Sequence, residues 1–362
     1  MISIQNVRPL RFAFALLLLL SSSAACKGHG EASASMLDSL AGREKRETKY
    51  DNGQKKEDFF VVKDKAGNYV KDGPYVSFHQ TGQKSEAGAY RADAPDGHWL
   101  KWDESGKLTL DVSYKNGKRD GAFKRYAGGA LNQSGSYTDD KLVGPFKYLG
   151  IDGFVVAGDM AADTPVGAWS IADRAGKARA RATFKDGNPV GGVQSLADDG
   201  SVRLLPPAKG CADFGGYALG TVHWADVIFD SLARTHTFPE DDGINQYSGG
   251  RMLKLPAALL SANGIEKMTL IFDRDDLLTA LTATAEKQRG SSAYANVIKQ
   301  LHAEYAKKYT TVSASMPYVG DCHAEYRSGG CGIVLDAPHM GFDMQVTLRS
   351  EAFEQRFKAA AN

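Results

Sequence analysis

The sequence predicts a mainly β N-terminal half followed by an α+β C-terminal domain. Three observations indicate this: glycines recur every 23 or 24 residues, turn dipeptides separate strand-length segments, and both patterns stop after residue 204. In the N-terminal half we expect a single twisted antiparallel sheet of stacked hairpin repeats. In the C-terminal half we expect an antiparallel sheet with two or three helices.

Three columns of residues define the repeat. A glycine opens each unit, an aromatic residue follows two positions later in most units, and another large residue stands near the end. The glycine column comprises Gly73, Gly97, Gly121, Gly144, Gly167 and Gly191, the first aromatic column Tyr75, Trp99, Phe123, Phe146 and Trp169 with Val193 closing the series, and the second column Tyr90, Tyr114, Tyr137, Met160 and Phe184. An isolated hairpin is marginally stable in water, so we expect the large side chains to bury against those of neighbouring units.

One unit shows how the chain reverses. Asp96-Gly97 and Asn116-Gly117 are dipeptides that tolerate the positive φ of tight turns. Between them, His98–Asp103 and Lys107–Lys115 have strand length and are separated by the turn Glu104-Ser105-Gly106. Each unit is therefore predicted to be one hairpin.

Residues 58–204 resemble MORN-like repeats, especially the variant found in antitoxin-like bacterial proteins. The resemblance is carried by Asp96-Gly97-His98-Trp99, Ser105-Gly106-Lys107-Leu108 and Tyr114-Lys115-Asn116-Gly117-Lys118-Arg119-Asp120-Gly121. In the later units Val143, Val166 and Val190 replace the aspartate before glycine. The resemblance implies interaction with a protein or a membrane surface rather than chemistry, with neutralisation of a toxin as one such role.

A second set of aromatic residues points to a partner surface. Phe78, Trp102 and Tyr126 lie three positions after the first aromatic column. An odd offset along a strand places a side chain on the opposite face of the sheet. We expect these residues either to be covered by another part of the chain or to form an exposed surface that binds a partner.

The N-terminus has the pattern of a secretory signal peptide, residues 1–25. Arg8 and Arg11 precede the apolar run Phe12–Leu20, and small residues follow. The run is shorter than the roughly 20 apolar residues that span a bilayer. We therefore expect export to the cell envelope, with no membrane span in the mature chain.

Cys26 follows Ala24-Ala25 and resembles the acylated cysteine of bacterial lipoproteins. Ser23 stands where leucine is usual in that motif, and ordinary cleavage after Ala25 is the alternative. Lys27 resembles the residue that sorts such lipoproteins to the outer membrane. The expectation is a lipid anchor at Cys26 on the periplasmic face of the outer membrane.

Composition predicts two segments without a core of their own. Residues 26–57 are small, polar and charged, which favours a flexible tether. Residues 205–210, around Pro206-Pro207, form a linker between the repeat array and the α+β domain, residues 211–362. That domain faintly resembles β-lactamase-inhibitor-like envelope domains, which bind proteins, through Leu219-Gly220-Thr221 before a helix and Leu270-Ile271-Phe272 before a returning strand.

The cysteines permit a disulfide bond in an oxidising compartment. If Cys26 is acylated, Cys211, Cys322 and Cys331 remain, and three pairings are open. We expect Cys322–Cys331, which flank the short Ser328-Gly329-Gly330 turn.

No catalytic constellation stands out, so the sequence predicts neither an enzyme nor a cofactor. The best alternative is a metal-dependent hydrolase that uses His323, Glu325, Asp336 and His339, although the spacing of known closed zinc sites is lacking. A net charge of +1 gives no indication of nucleic-acid binding. The leading hypothesis is a lipid-anchored protein that docks a protein partner through its repeat sheet, and a purely structural spacer is a third possibility.

Overall fold

The computed structural model describes residues 42–150, 152–203, 213–214, 216–260, 265–286, 292–317, 320–338 and 343–361. The predicted signal peptide, Cys26 and the whole of the predicted linker, residues 205–210, lie outside these residues. Lys45–Asn362 forms one compact unit, and the architecture below is that of this unit. In the part of the chain that is described, no helix is long and apolar enough to cross a membrane.

A 14-stranded antiparallel sheet forms the N-terminal half, as the repeat pattern predicts. Its strands follow the order of the chain, except that the two-residue β5 pairs only with β4. They are β1 (Glu44–Lys49), β2 (Lys55–Lys63), β3 (Tyr69–Phe78), β4 (Lys84–Arg91), β5 (Ala94–Pro95), β6 (Gly97–Trp102), β7 (Leu108–Lys115), β8 (Lys118–Ala127), β9 (Ala130–Thr138), β10 (Lys141–Leu149), β11 (Val155–Ala161), β12 (Thr164–Ala172), β13 (Ala178–Lys185) and β14 (Asn188–Ser195).

The tether predicted over residues 26–57 is wrong at its C-terminal end, because β1 and the start of β2 lie within it. The polar composition there belongs to charged strands at the edge of the sheet. The Nζ atom of Lys55 lies 2.9 Å from a carboxylate oxygen of Glu47 and 2.9 Å from one of Asp58. Charged side chains are common on edge strands, where they discourage pairing with other chains.

Both columns of large side chains lie on one face of this sheet, here called the inner face. Tyr75 and Tyr90 meet edge to face with ring centroids 5.1 Å apart, and Tyr90 meets Trp99 in the same way at 5.1 Å. Small residues lie beneath the rings: a Cβ atom on Gly88 would lie 2.3 Å from the Trp99 ring. Gly88 is therefore required by packing, and substitution there would force the Trp99 ring to move.

A second row of the inner face runs beside the columns, two residues further along the strands. In the first three units it is mainly polar, and Lys101 there pairs with Glu86 at 2.6 Å. In the last three units every member is buried. In strand order the row is Ser77, Glu86, Lys101, Leu110, Arg125 and Gln133, then Tyr148, Val156, Ile171, Ala180 and Ser195.

The C-terminal half contains an 8-stranded antiparallel sheet in the order β17-β18-β19-β20-β24-β23-β22-β21. Its strands are β17 (Glu240–Ile244), β18 (Gly249–Lys254), β19 (Lys267–Asp273), β20 (Leu278–Glu286), β21 (Thr310–Ser315), β22 (Cys322–Ser328), β23 (Cys331–Ala337) and β24 (Asp343–Ser350). A small hairpin of β15 (Asp213–Phe214) and β16 (Tyr217–Ala218) precedes it. The helices are α1 (Trp224–Thr235), α2 (Ala257–Leu260), α3 (Ser292–Lys308) and α4 (Glu351–Ala361).

The two sheets share one hydrophobic core at the last repeats. Phe238 stacks on Tyr148 with ring centroids 4.4 Å apart and on Phe146 at 5.8 Å. Phe184 meets Phe229 of α1 at 5.8 Å. Helix α1, which packs against β12 and β14, is thus buried between the repeat sheet and the rest of the C-terminal domain.

Candidate functional site

The predicted partner residues Phe78, Trp102 and Tyr126 are each half-buried. A β-bulge precedes each of them, and the extra residue of the bulge lies on the partner strand. In the strand that carries the aromatic residue, successive side chains therefore still point to opposite faces of the sheet. Lys101 pairs with Leu110 on the inner face, which places Trp102 on the opposite, outer face. The C-terminal domain packs against the inner face, as Phe146 and Phe184 show.

Aliphatic residues extend these aromatics into an apolar strip. Trp102 pairs with Leu108, and Tyr126 pairs with Leu131, which is 38% exposed. We call Phe78, Trp102, Leu108, Tyr126 and Leu131 the outer strip. Among the described residues, the ring contacts that link the inner columns do not extend to this strip. The rings of the strip therefore do not form a stacked ladder of the kind seen on the inner face.

The C-terminal His323 lies within a group of carboxylates on the 8-stranded sheet. Its Nδ1 atom is 2.6 Å from Asp336 Oδ1, and its Nε2 atom is 3.4 Å from Glu325 Oε1. The hydrogen bond with Asp336 is the main reason why the pKa of His323 is raised. The ring is 43% exposed, so the arrangement is a surface contact of the imidazole with two carboxylates.

The described members of this group do not form a metal site. Among the described residues no three His, Cys, Asp or Glu side chains are placed to hold a metal ion, and His339 lies outside them. Ser315, His323 and Asp336 are aligned across adjacent strands. However, the described contacts include no hydrogen bond from Ser315 to His323, so this row does not form a nucleophile–base pair.

The predicted Cys322–Cys331 disulfide is not formed. Cys322 is a free, buried thiol. The register pairs Cys322 with Ala337 at one end of the β22–β23 hairpin and Cys331 with Ser328 at the other. Two cysteines so placed are separated by far more than the roughly 7 Å between Cα atoms that a disulfide can bridge. Of the three pairings open from sequence, only Cys211–Cys331 leaves Cys322 free, and Cys211 lies outside the described residues.

A cleft of about 470 Å³ lies between the repeat sheet and the C-terminal domain. Turns of the later repeats form one wall, and α1, β18 and the β19–β20 turn form the other. Four arginines line it: Arg174, Arg179, Arg251 and Arg274. Three aspartates accompany them: Asp152, Asp173 and Asp276. Sequence reasoning missed this site, because its residues come from distant segments and match no motif.

Arg251 lies at the inner end of the cleft. Its guanidinium carbon is 3.9 Å from the centroid of the Trp224 ring and 4.9 Å from that of Phe154. One nitrogen, Nη2, lies 2.8 Å from Asp152 Oδ2. The Nε and Nη1 atoms of Arg251 and the indole Nε1 of Trp224 are buried and have no hydrogen-bond partner.

Asp276 lies among donor groups of Arg251, Arg179, His223 and Trp224. Its carboxylate oxygens lie 4.0 Å from Arg251 Nε, 3.9 Å from Arg179 Nη2 and 4.0 Å from His223 Nε2. These separations exceed hydrogen-bond distance. Burial raises the pKa of the Asp276 carboxyl, although Arg251, the Trp224 indole N–H and Arg179 each lower it.

His223 is neutral and structural. It is the N-cap of α1, where its Nδ1 atom accepts a hydrogen bond from the Ala225 backbone N–H at 3.2 Å. Burial, together with the nearby charges of Arg203, Arg251 and Arg179, lowers the pKa of His223 to about 3. The inner end of the cleft therefore gains no positive charge from this imidazole near neutral pH.

Comparison with protein-family models and with curated proteins gave no match to this chain.

Proposed function

We propose that this chain is a lipid-anchored protein of the bacterial envelope that binds a protein partner through the outer face of its repeat sheet. The observation that carries the proposal is the outer strip. It places half-buried aromatics and the 38%-exposed Leu131 on the face opposite the C-terminal domain. Interfaces are enriched in such aromatic residues, and contiguous exposed apolar surface commonly marks a binding site.

The inner face supports a docking role for the sheet, because it already binds a domain of the same chain. There the repeat sheet already holds a domain, through rings such as Phe146 and Tyr148 that stack on Phe238. A sheet built from many repeats has two broad faces, and in this molecule the C-terminal domain covers part of the inner one. We infer that the sheet is a scaffold, and that the outer strip takes a partner with a complementary apolar patch.

Site-specific photo-crosslinking tests the docking surface. A photoreactive phenylalanine analogue at Trp102 or Tyr126 should yield one protein adduct in intact envelopes. The matched control places the same analogue at Tyr69, an exposed aromatic of the same sheet (48% exposed) that lies outside the strip. Equal adducts from all three positions, or none from any, would reject docking through the strip, and an adduct with a second copy of this chain would identify self-association instead.

Membrane fractionation tests the anchor separately. The Cys26→Ser protein should move from the membrane fraction to the soluble envelope fraction, because the acylated thiol is the proposed attachment. A Cys322→Ser protein is the control, since that thiol is buried and free. A Cys26→Ser protein that stays with the membrane contradicts the lipid anchor without affecting the docking proposal.

A further inference from the structure

We propose that the cleft between the two sheets binds a small oxyanion, a ligand whose carboxylate or phosphate group lies between Arg251 and Trp224 at the inner end and Arg174 and Arg274 at the mouth. This site is on a different surface from the outer strip and does not depend on the docking proposal. A volume of about 470 Å³ suits a small-molecule ligand.

Hydrogen-bond donors without partners are concentrated at the inner end. Trp224 is only 1% exposed, and its indole N–H, which lies beside the Asp276 carboxylate, has no acceptor within hydrogen-bond distance. Arg251 uses Nη2 to hold Asp152, while its buried Nε–H and Nη1–H have no acceptor. Buried donors in native proteins are nearly always satisfied, so a group of three unsatisfied donors beside one cavity indicates that an acceptor belongs there.

The acceptors of the cleft are already used or too far away. Asp152 accepts from Arg251. Asp173 Oδ1 accepts from the backbone N–H groups of Ala175 and Lys177, each at 3.0 Å. Asp276 lies 4.0 Å from Arg251 Nε, beyond hydrogen-bond distance. An oxyanion bound in the cleft would supply the acceptor that these donors lack.

Two arginines at the mouth supply further positive charge. Arg174, in the β12–β13 turn, and Arg274, in the β19–β20 turn, face the cleft from the two halves of the molecule. Within the described residues neither makes a hydrogen bond or an ion pair, whereas Arg179 is held by Asp198 at 2.8 Å. Free guanidinium groups favour carboxylate and phosphate oxygens, which they bind in a planar, bidentate manner.

Titration calorimetry with the full mature chain tests the site, with inorganic phosphate and succinate as separate probes. We expect saturable binding of at least one probe with one site per chain, and the preferred probe identifies the anionic group. Arg174→Gln and Arg274→Gln should each weaken that binding by about tenfold, because each removes a charge-assisted contact. Arg125→Gln, which removes an exposed arginine outside the cleft, should leave the affinity unchanged.

A conservative variant of the buried donor separates binding from folding. Trp224→Phe keeps an aromatic ring beneath Arg251 and removes only the indole N–H, so it should lower the affinity while near-ultraviolet circular dichroism shows a folded protein. The proposal is overturned if neither probe binds saturably at millimolar concentration. It is equally overturned if the cleft variants bind as the wild type does, or if Arg125→Gln weakens binding as much as they do.

Discussion

The first three and the last three repeats share one pattern of large side chains but bury them differently. In the first three units the rings cover one another and lie beneath long cationic side chains: Lys71 Nζ is 4.7 Å from the Tyr75 ring centroid and 5.3 Å from that of Tyr90. In the last three units the C-terminal domain covers them through Phe238 and α1.

The second row of the inner face explains the difference. Lys101 and Arg125 stand in this row in the early units, whereas Tyr148 and Ile171 take the equivalent positions later. One additional apolar row doubles the width of the hydrophobic band, which is then broad enough for a domain to dock. The columns thus build the sheet, and the second row decides where another domain can attach.

Exchanging polar and apolar residues of the second row between the early and late units should have the largest effect on stability. Ile171 is fully buried in the shared core where the C-terminal domain packs on the last repeats, here called the joint. Ile171→Lys places a charge in this core and should cost roughly 3–5 kcal/mol of unfolding free energy. The reciprocal change Lys101→Ile removes only the partly exposed ion pair with Glu86 and should cost about 0–1 kcal/mol. Chemical denaturation measures both, and equal losses would contradict the distinction between early and late units.

Removing one ring from each half sharpens the comparison. Trp99→Ala and Trp169→Ala should each cost roughly 3–5 kcal/mol, because both indoles are buried in columns of the same kind. Only Trp169→Ala should also speed hydrogen exchange in α1, since Trp169 contacts Phe184, which packs on Phe229 of that helix. Faster exchange in α1 after Trp99→Ala would show that the halves are not energetically separate.

The joint, unlike the early units, should weaken in acid through His223. Its pKa is lowered in the folded state to about 3 from 6.5, so the unfolded chain binds this proton first. The contribution of His223 is fully present above pH 6.5 and is lost as pH falls toward 3, by up to about 1.4 kcal/mol per pH unit. His223→Asn keeps an N-cap acceptor without the titration, so the stability difference between the two proteins should change over this range. A difference that does not vary with pH would contradict the assignment.

The smallest effect on stability is expected from removing Lys71, whose ammonium group lies over the rings of the early units and is here called the cationic cover. Lys71→Ala removes contacts with the Phe59, Tyr75 and Tyr90 rings and should cost about 0.5–1 kcal/mol. Lys65→Ala, in the exposed β2–β3 turn, is the matched control and should leave the denaturation midpoint unchanged. A Lys71→Ala protein that exposes its rings to a fluorescent apolar dye would show that the cover also shields the inner face.

Much of the architecture could be predicted because the repeat is written in local patterns. Turn dipeptides such as Asn116-Gly117 specify where strands reverse, and both residues indeed have positive φ, 50° and 85°. The edge strand β1 was missed because its alternation is carried by charged residues. The second row could not be predicted for another reason: it changes from polar to apolar between units, whereas a repeat is recognised by residues that stay the same.

The candidate sites were less predictable. The outer strip could be located from an odd offset along the strands, since alternation is a local property. The cleft could not, because Arg174 and Arg251 are brought together only when the two sheets dock. The predicted pairing of Cys322 with Cys331 was wrong because closeness in sequence did not mean closeness in space. The two residues are near in sequence, but a fully paired hairpin holds them at opposite ends.

Attachment of the C-terminal domain to the last repeats alone has a consequence for how such an array can change in length. Neighbouring strands in a sheet lie about 4.8 Å apart, so each two-strand unit adds about 10 Å to the array. Units could be gained or lost near the start without altering a single contact at the joint. The array can then act as a ruler, whose number of units sets how far the C-terminal domain lies from the first strand.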